Sequence, residues 1–253
     1  MLIKTQGIVL RHRNIGENDR ILVLFTKDLG VIEASARGVK RLKSPLAGAT
    51  QVLCYSSFCL YQGKRGYTVD SAEMISSFYE LRLDAAKLSL AVYFCDLLYA
   101  LHPFAEKENS WNCLRLLLNS LALLERDKKP MDLLKAIYEL RLLSLCGFMP
   151  DLVCCASCAC YEAERMYFLP VEGKLFCSDC AEEMCSPGTL KYTLPPSVLQ
   201  AMRHIIYSDD DKVFSFNLTG KSLKQLNFVI ENYVLLHADR KFQSLDVYKQ
   251  MAL

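Results

Sequence analysis

Two early runs, "IKTQGIVLRHR" and "DRILVLFTKDLGVIEASARG", are rich in β-branched residues and are broken by "NIGEND" and "KDLG". Such runs bounded by turn residues read as strands. "TQVLCYSSFCLYQGKRGYTVDSAEMISSFY" adds two longer strands around the loop "QGKRG". Five short strands in residues 1–80 predict a small closed barrel of the OB type. The period changes after residue 80. "LRLDAAKLSLAVYFCDLLYAL" (81–101), "WNCLRLLLNSLALLERD" and "MDLLKAIYELRLLSLCG" carry apolar residues at helical spacing, the last stopped by Gly147 and Pro150. Pro195-Pro196 open "SVLQAMRHIIYS", and "KSLKQLNFVIENYVLLHADRKFQSL" reads as one long amphipathic segment. The fold class is therefore α+β and multidomain. A β-barrel (OB-fold) over 1–80 precedes an all-α helical domain over 81–253, which a cysteine-rich insert interrupts at 151–186.

Composition narrows the class. The 253 residues are 52% hydrophobic and 23% charged, a globular balance. Segment 81–101 is apolar, but Arg82, Asp84, Lys87 and Asp96 argue against a membrane span and for a buried bundle helix. The start "MLIKTQGIVLRHRN" lacks the continuous apolar core of a signal peptide, so the expected location is the cytoplasm.

Twelve cysteines change the picture. Cys54, Cys59, Cys95, Cys113 and Cys146 stand singly in apolar segments, as small hydrophobes do. The other seven cluster between 154 and 185, which in a cytosolic chain favours metal over disulfides. Cys155-x-x-Cys158 and Cys177-x-x-Cys180 stand eighteen residues apart, a zinc-ribbon spacing. Each pair brings two thiolates to one ion at about 2.3 Å, and two pairs complete a tetrahedron. Cys154, Cys160 and Cys185 compete as ligands. No histidine lies between 103 and 203, so one structural Zn²⁺ closed by four thiolates is the expectation. Residues 150–186 hold two basic residues against seven acidic ones, a surface that repels phosphate.

The positive charge sits elsewhere. Residues 1–80 carry eleven Lys/Arg against seven Asp/Glu, and "SARGVKRLKSPLAG" (35–48) gathers Arg37, Lys40, Arg41 and Lys43. Lys64 and Arg65 add to the set, and Lys4, Arg11 and Arg13 could extend it. Positive loops on a small barrel are an electrostatic footprint of nucleic acid. Tyr55, Phe58, Tyr61 and Tyr67 could stack bases. "VFSFNLTGKSLKQL" imitates a phosphate loop, but Ser215 stands where the motif needs glycine. A helix start capped by Thr219 or Ser222 accounts for it. His12, His102, His204 and His237 form no pattern with a nucleophile, and nothing here argues for an enzyme. A zinc-stabilised protein adaptor, its basic loop docked on an acidic partner, is the alternative reading.

Several stretches resemble the RecO family of bacterial recombination mediators. They are "TQGIVLRHRNIGENDRILVLFTKDLG", the basic "ARGVKRLKSPLAG", "GFMPDLVCCASC…FCSDC" and "HADRKFQSLDVY". The resemblance covers essentially the whole chain, and its lead-in Pro150-x-Leu152-x-x-Cys155 selects Cys155 over Cys154. It implies an OB domain, a helical domain with a zinc module, and no nucleotide hydrolysis. It implies binding and annealing of single- and double-stranded DNA in recombinational repair (the RecF/RecOR pathway). It also implies association with RecR, contact with the acidic C-terminal tail of single-strand binding protein (SSB), and loading of RecA onto SSB-coated DNA. Arg115, Lys135 and Arg141 are candidate rims for an SSB-tail groove.

Overall fold

The computed structural model describes residues 1–64, 66–184, 186 and 188–252. They form two compact units, Met1–Lys128 with Phe242–Leu253, and Lys129–Lys241.

The first unit is built on a closed barrel of β1 (Leu2–Ile15), β2 (Asp19–Thr26), β3 (Gly30–Ala36), β4 (Tyr55–Gly63) and β5 (Gly66–Ser76), in the order β1-β2-β3-β5-β4 with β4 returning to β1. Only β3 and β5 pair in parallel. Strand alternation decides the inside: Ser56, Phe58 and Leu60 of β4 are buried while their neighbours are not. Val9, Leu22, Leu24, Ile32, Ala34, Phe58, Leu60 and Val69 fill the core. A bulge between Val9 and Arg11 lets the long β1 curve around it. Gly7 is required where β1 crosses β2, because a Cβ there would lie 2.8 Å from the Phe25 carbonyl oxygen.

Residues 37–54 form successive tight turns rather than a regular helix. Val39 and Leu46 drop from these turns into the barrel core, contributing about 1.5–3 kcal/mol each. Lys40, Arg41 and Lys43 are left exposed between those anchors, and Arg37 just before them.

Segment 81–101 is a helix as expected. A 3₁₀ turn over Tyr79–Leu83 leads to α1 (Ala85–Leu101), whose first N–H groups, of Ala86 and Lys87, donate to the Asp84 carboxylate. By length and composition Ala85–Phe104 could cross a membrane, but Leu90, Tyr93, Phe94, Leu97 and Leu98 are fully buried in the protein. α2 (Ser110–Glu125) and α7 (Gln243–Met251) complete the unit. The Tyr93 and Phe242 rings meet edge-on at 5.6 Å, and the Ser244 hydroxyl donates to Asp96 at 2.6 Å.

The second unit contains α3 (Met131–Leu145), β6 (Met166–Leu169), β7 (Lys174–Cys177), α4 (Ser178–Met184), β8 (Tyr192–Leu194), α5 (Pro196–Tyr207) and α6 (Gly220–Ala238). The strands form one antiparallel sheet, β7-β6-β8, so the sheet reaches past residue 186. α3 closes on Gly147 (φ 89°), with the Phe148 N–H on the Leu143 carbonyl at 2.9 Å and the Gly147 N–H on Ser144 at 3.4 Å.

Two local expectations differ. The segment from Lys221 to Leu245 is two helices, because Asp239 adopts a left-handed conformation (φ 46°) that ends α6. Residues 215–219 are irregular rather than strand, and Thr219 stands at the N-cap of α6 without a side-chain capping bond. The phosphate-loop imitation thus lacks its strand as well as its glycine.

Candidate functional site

The Cys155–Cys158 pair lies on a knuckle that follows α3. The Cys155 N–H donates to the Cys160 carbonyl (2.8 Å), the Ala159 N–H to Cys155 (2.9 Å), and the Ala156 N–H to Leu175 on β7 (2.8 Å). The Cys177–Cys180 pair spans the end of β7 and the first turn of α4. All four Sγ atoms lie within 4.8 Å of one another, and those of Cys158 and Cys177 are 3.7 Å apart. A tetrahedron of sulfurs about 2.3 Å from a central ion has edges of about 3.8 Å, so the cluster is dimensioned to hold one metal ion. Four protein ligands leave no open coordination position, as in structural rather than catalytic sites.

Cys154 and Cys160 stay outside this group. The Cys160 thiol instead donates to the Glu162 carbonyl at 2.8 Å. Cys185 lies outside the described residues.

Electrostatics within the cluster call for a cation. Burial opposes ionisation of Cys155, but backbone N–H groups of Cys158, Cys177 and Ser157 outweigh it and bring the thiol down to about 6. At Cys180 the Ser157 side chain favours the thiolate, yet Cys177, Cys158 and Cys155 crowd it and push it up to about 12. Like charges at this spacing do not ionise together unless a metal neutralises them.

The sequence reading missed Arg203. It sits on α5, 8% exposed, and donates to the carbonyls of Leu152 (2.7 Å), Val153 (2.9 Å) and Tyr161 (2.9 Å). Its guanidinium also stacks on the Tyr161 ring at 4.0 Å. One side chain therefore clamps both ends of the first knuckle. The only sequence signal is a basic residue within the apolar face of "SVLQAMRHII".

On the barrel, strand register gathers three loops at one end. Arg20 pairs with Ala36 and Ala34 with Tyr67, which sets the β1–β2 turn, residues 37–54 and the β4–β5 turn side by side. Arg37 and Lys64 line one groove of about 740 Å³ together with Tyr61 and Tyr67. The same groove contains Glu33 and Asp70. Arg41 folds back over Gly38, within 3.5 Å of where a Cβ would stand. Lys40, Lys43 and Lys4 project from the surface. Arg13 approaches Glu33 at 3.8 Å, and Arg11 stacks on Tyr99 of α1 at 3.7 Å, away from the loop cluster. Arg65 lies outside the described residues.

Of the aromatics, Phe58 is core, Tyr55 donates its hydroxyl to the Gln6 side chain (2.9 Å), and Tyr61 is half exposed. Two of the candidate SSB-tail rims are already engaged. Lys135 is buried between Glu139 (3.0 Å) and Glu231 (3.1 Å), and Arg141 binds the Ile206 carbonyl and Asp210 at 2.6 Å each. Arg115 is half-buried on α2.

Comparison with known proteins agrees with this architecture. Residues 1–78 match the family described as "Recombination protein O N terminal", and 82–246 match "Recombination protein O C terminal". The chain is 35% identical over 250 residues to the "DNA repair protein RecO" of Acetivibrio thermocellus, covering 98% of this chain and 97% of that protein. It is 32% identical to the protein of that name from Alkaliphilus metalliredigens, with 99% and 100% covered. It is 33% identical to that from Symbiobacterium thermophilum, with 96% and 95% covered. With an OB-like barrel, a following helical region and a four-cysteine cluster in one chain, and both family halves matched in order, the chain belongs to the recombination protein O (RecO) family of DNA repair proteins.

Proposed function

We propose that the chain is a non-enzymatic, DNA-binding recombination mediator. Its contact surface comprises Arg37, Lys40, Arg41, Lys43 and Lys64, with Arg65, Lys4, Arg11 and Arg13 at the margins. The observation that carries this reading is the loop 37–43. Four cations stand in water on turns that Val39 and Leu46 fasten to the barrel core, beside a groove offering Tyr61 and Tyr67. The cations neutralise phosphates and release counterions, while the two rings offer sequence-tolerant stacking. With arginine and lysine and few base-edge readers, sequence preference is slight.

The ion at Cys155, Cys158, Cys177 and Cys180 is Zn²⁺, since four thiolates in a tetrahedron suit it and the site is closed. It staples the fold. Seven acidic residues around it keep DNA on the barrel. In this reading the chain works in the cytoplasm on the nucleoid. It binds single- and double-stranded DNA, anneals complementary strands, associates with RecR and the SSB tail, and with RecR helps load RecA. It uses neither nucleotide nor membrane.

Fluorescence anisotropy with labelled single-stranded DNA over a salt series tests it. The logarithm of the binding constant should fall by about 0.7 per phosphate contact for each unit of log salt. Exchanging Arg37, Lys40, Arg41 and Lys43 for Glu should abolish binding and annealing while circular dichroism stays native. Salt-insensitive binding by the wild type would favour the acidic-partner adaptor.

A further inference from the structure

The phosphate-binding surface extends beyond the cations that the sequence singles out. Along the β1–β2 ladder Val9 pairs with Leu24, His12 with Leu22 and Asn14 with Arg20, and burial falls along that row from the core residues Val9, Leu22 and Leu24 to the half-buried His12 and Arg20 and the exposed Asn14. The barrel interior therefore ends in polar groups at the mouth near the basic loop. There His12, Arg20, Gln51 and Arg82 line a recess of about 400 Å³, against an apolar wall that includes Val52 and Leu53.

Three features mark the recess as built for an anion. First, its two guanidiniums meet no carboxylate among the described residues, and none of these lining the recess is acidic. Arg82 donates to the carbonyls of Val52 (2.6 Å) and Ser77 (3.0 Å) and also reaches the Cys54 thiol, and Arg20 donates its Nε to the Asn14 amide oxygen (3.3 Å). Second, His12 Nδ1 is buried with no hydrogen-bond partner among the described residues, an orphan that an incoming oxygen satisfies. Burial and the Arg20 charge hold this ring's pKa below the usual histidine range, so near neutrality it offers one N–H and no charge. Third, Leu53 holds a left-handed backbone (φ 67°), a strain that the surrounding turn maintains while the adjoining Val52 carbonyl receives Arg82. The larger groove, by contrast, offsets Arg37 and Lys64 with Glu33 and Asp70.

We propose that this recess seats a backbone phosphate of the bound DNA strand, with Arg20 and Arg82 supplying charge and His12 Nδ1–H a hydrogen bond. The inference rests on the DNA-binding reading above. Continuity supports it: the Lys40 N–H donates to the Asn18 carbonyl (3.0 Å) and the Gly38 N–H to Asp19 (2.7 Å). The basic loop is thus tied to the turn that leads into Arg20, and a strand crossing the loop continues into the recess.

Salt-dependent anisotropy with a labelled oligothymidylate on Arg20→Gln and His12→Gln tests the assignment, with thermal melts confirming both folds. Arg20→Gln should weaken binding about tenfold at fixed salt and reduce the salt slope by about 0.7, the loss of one charged phosphate contact. His12→Gln, which removes a neutral donor, should weaken binding with the slope unchanged. If both variants bind as the wild type does while the four-residue loop reversal abolishes binding, the recess is not a phosphate site and the DNA reading stands. If the wild type itself fails to bind, both fall. A recess serving a free anion would let inorganic phosphate, at constant ionic strength, shift the His12 ring resonances while the oligonucleotide leaves them unmoved, which also overturns the proposal.

Discussion

At the scale of single residues, neighbouring cysteines do different physical work. Cys155 contributes its sulfur to the cluster, whereas Cys160 spends its thiol on the Glu162 carbonyl and contributes only its backbone carbonyl to the knuckle. Metal analysis of purified protein should find about one ion per chain in the wild type and in Cys160→Ala, and a marked loss in Cys155→Ala. Arg203 extends the same logic outward, since groups that fix ligand loops tune metal affinity by about 10–100-fold. Arg203→Gln should release the ion to a competing chelator about tenfold faster or more. Arg203→Lys should fall between, because an ammonium does not span three carbonyls as a planar guanidinium does. Equal release from all three proteins would reduce Arg203 to a packing residue.

Among helices, α3 and α6 are joined by a buried ion-pair arrangement centred on Lys135. Lys135 is 3% exposed between Glu139 (0%) and Glu231 (18%). Removing this cation takes a buried ion-pair partner from both carboxylates, so Lys135→Met should cost about 3–5 kcal/mol in denaturant unfolding. The last turn of α6 carries a second titrating element. His237 packs between Phe148 (4.8 Å) and Tyr233 (4.4 Å), and burial holds its pKa below the usual value. Its unfolded form then binds protons more readily than its folded form, so stability rises with pH through this group. The melting temperature should fall as pH drops below about 6.5, and less steeply in His237→Phe.

Over the whole molecule, the two candidate sites belong to different compact units, the cations to Met1–Lys128 and the cysteine cluster to Lys129–Lys241. Their chemistry is separable. Chelation of the metal should lower the thermal stability of the second unit while oligonucleotide affinity is retained. A parallel loss of affinity on chelation would mean that the cysteine module takes part in binding. The segregation also follows from charge, since an acidic metal module and a basic loop cluster do not compete for the same polyanion.

The sequence by itself determined the barrel, the helices and the cysteine register. Alternation of two against nearly four is imposed by backbone geometry, and CxxC spacing by the size of a metal tetrahedron, so both are local. What lay beyond it depended on residues distant along the chain. Asp239 breaks a segment whose apolar pattern runs on without pause. Lys135 reads as a surface cation until Glu231 arrives on another helix. Arg203 reaches carbonyls some 50 positions earlier. The β1–β2 register sets Arg20 beside His12, while hydrogen bonds to Val52 and Ser77 bring Arg82 to the same recess from a turn outside the strands, because tertiary contacts, and not order in sequence, decide which side chains share a surface.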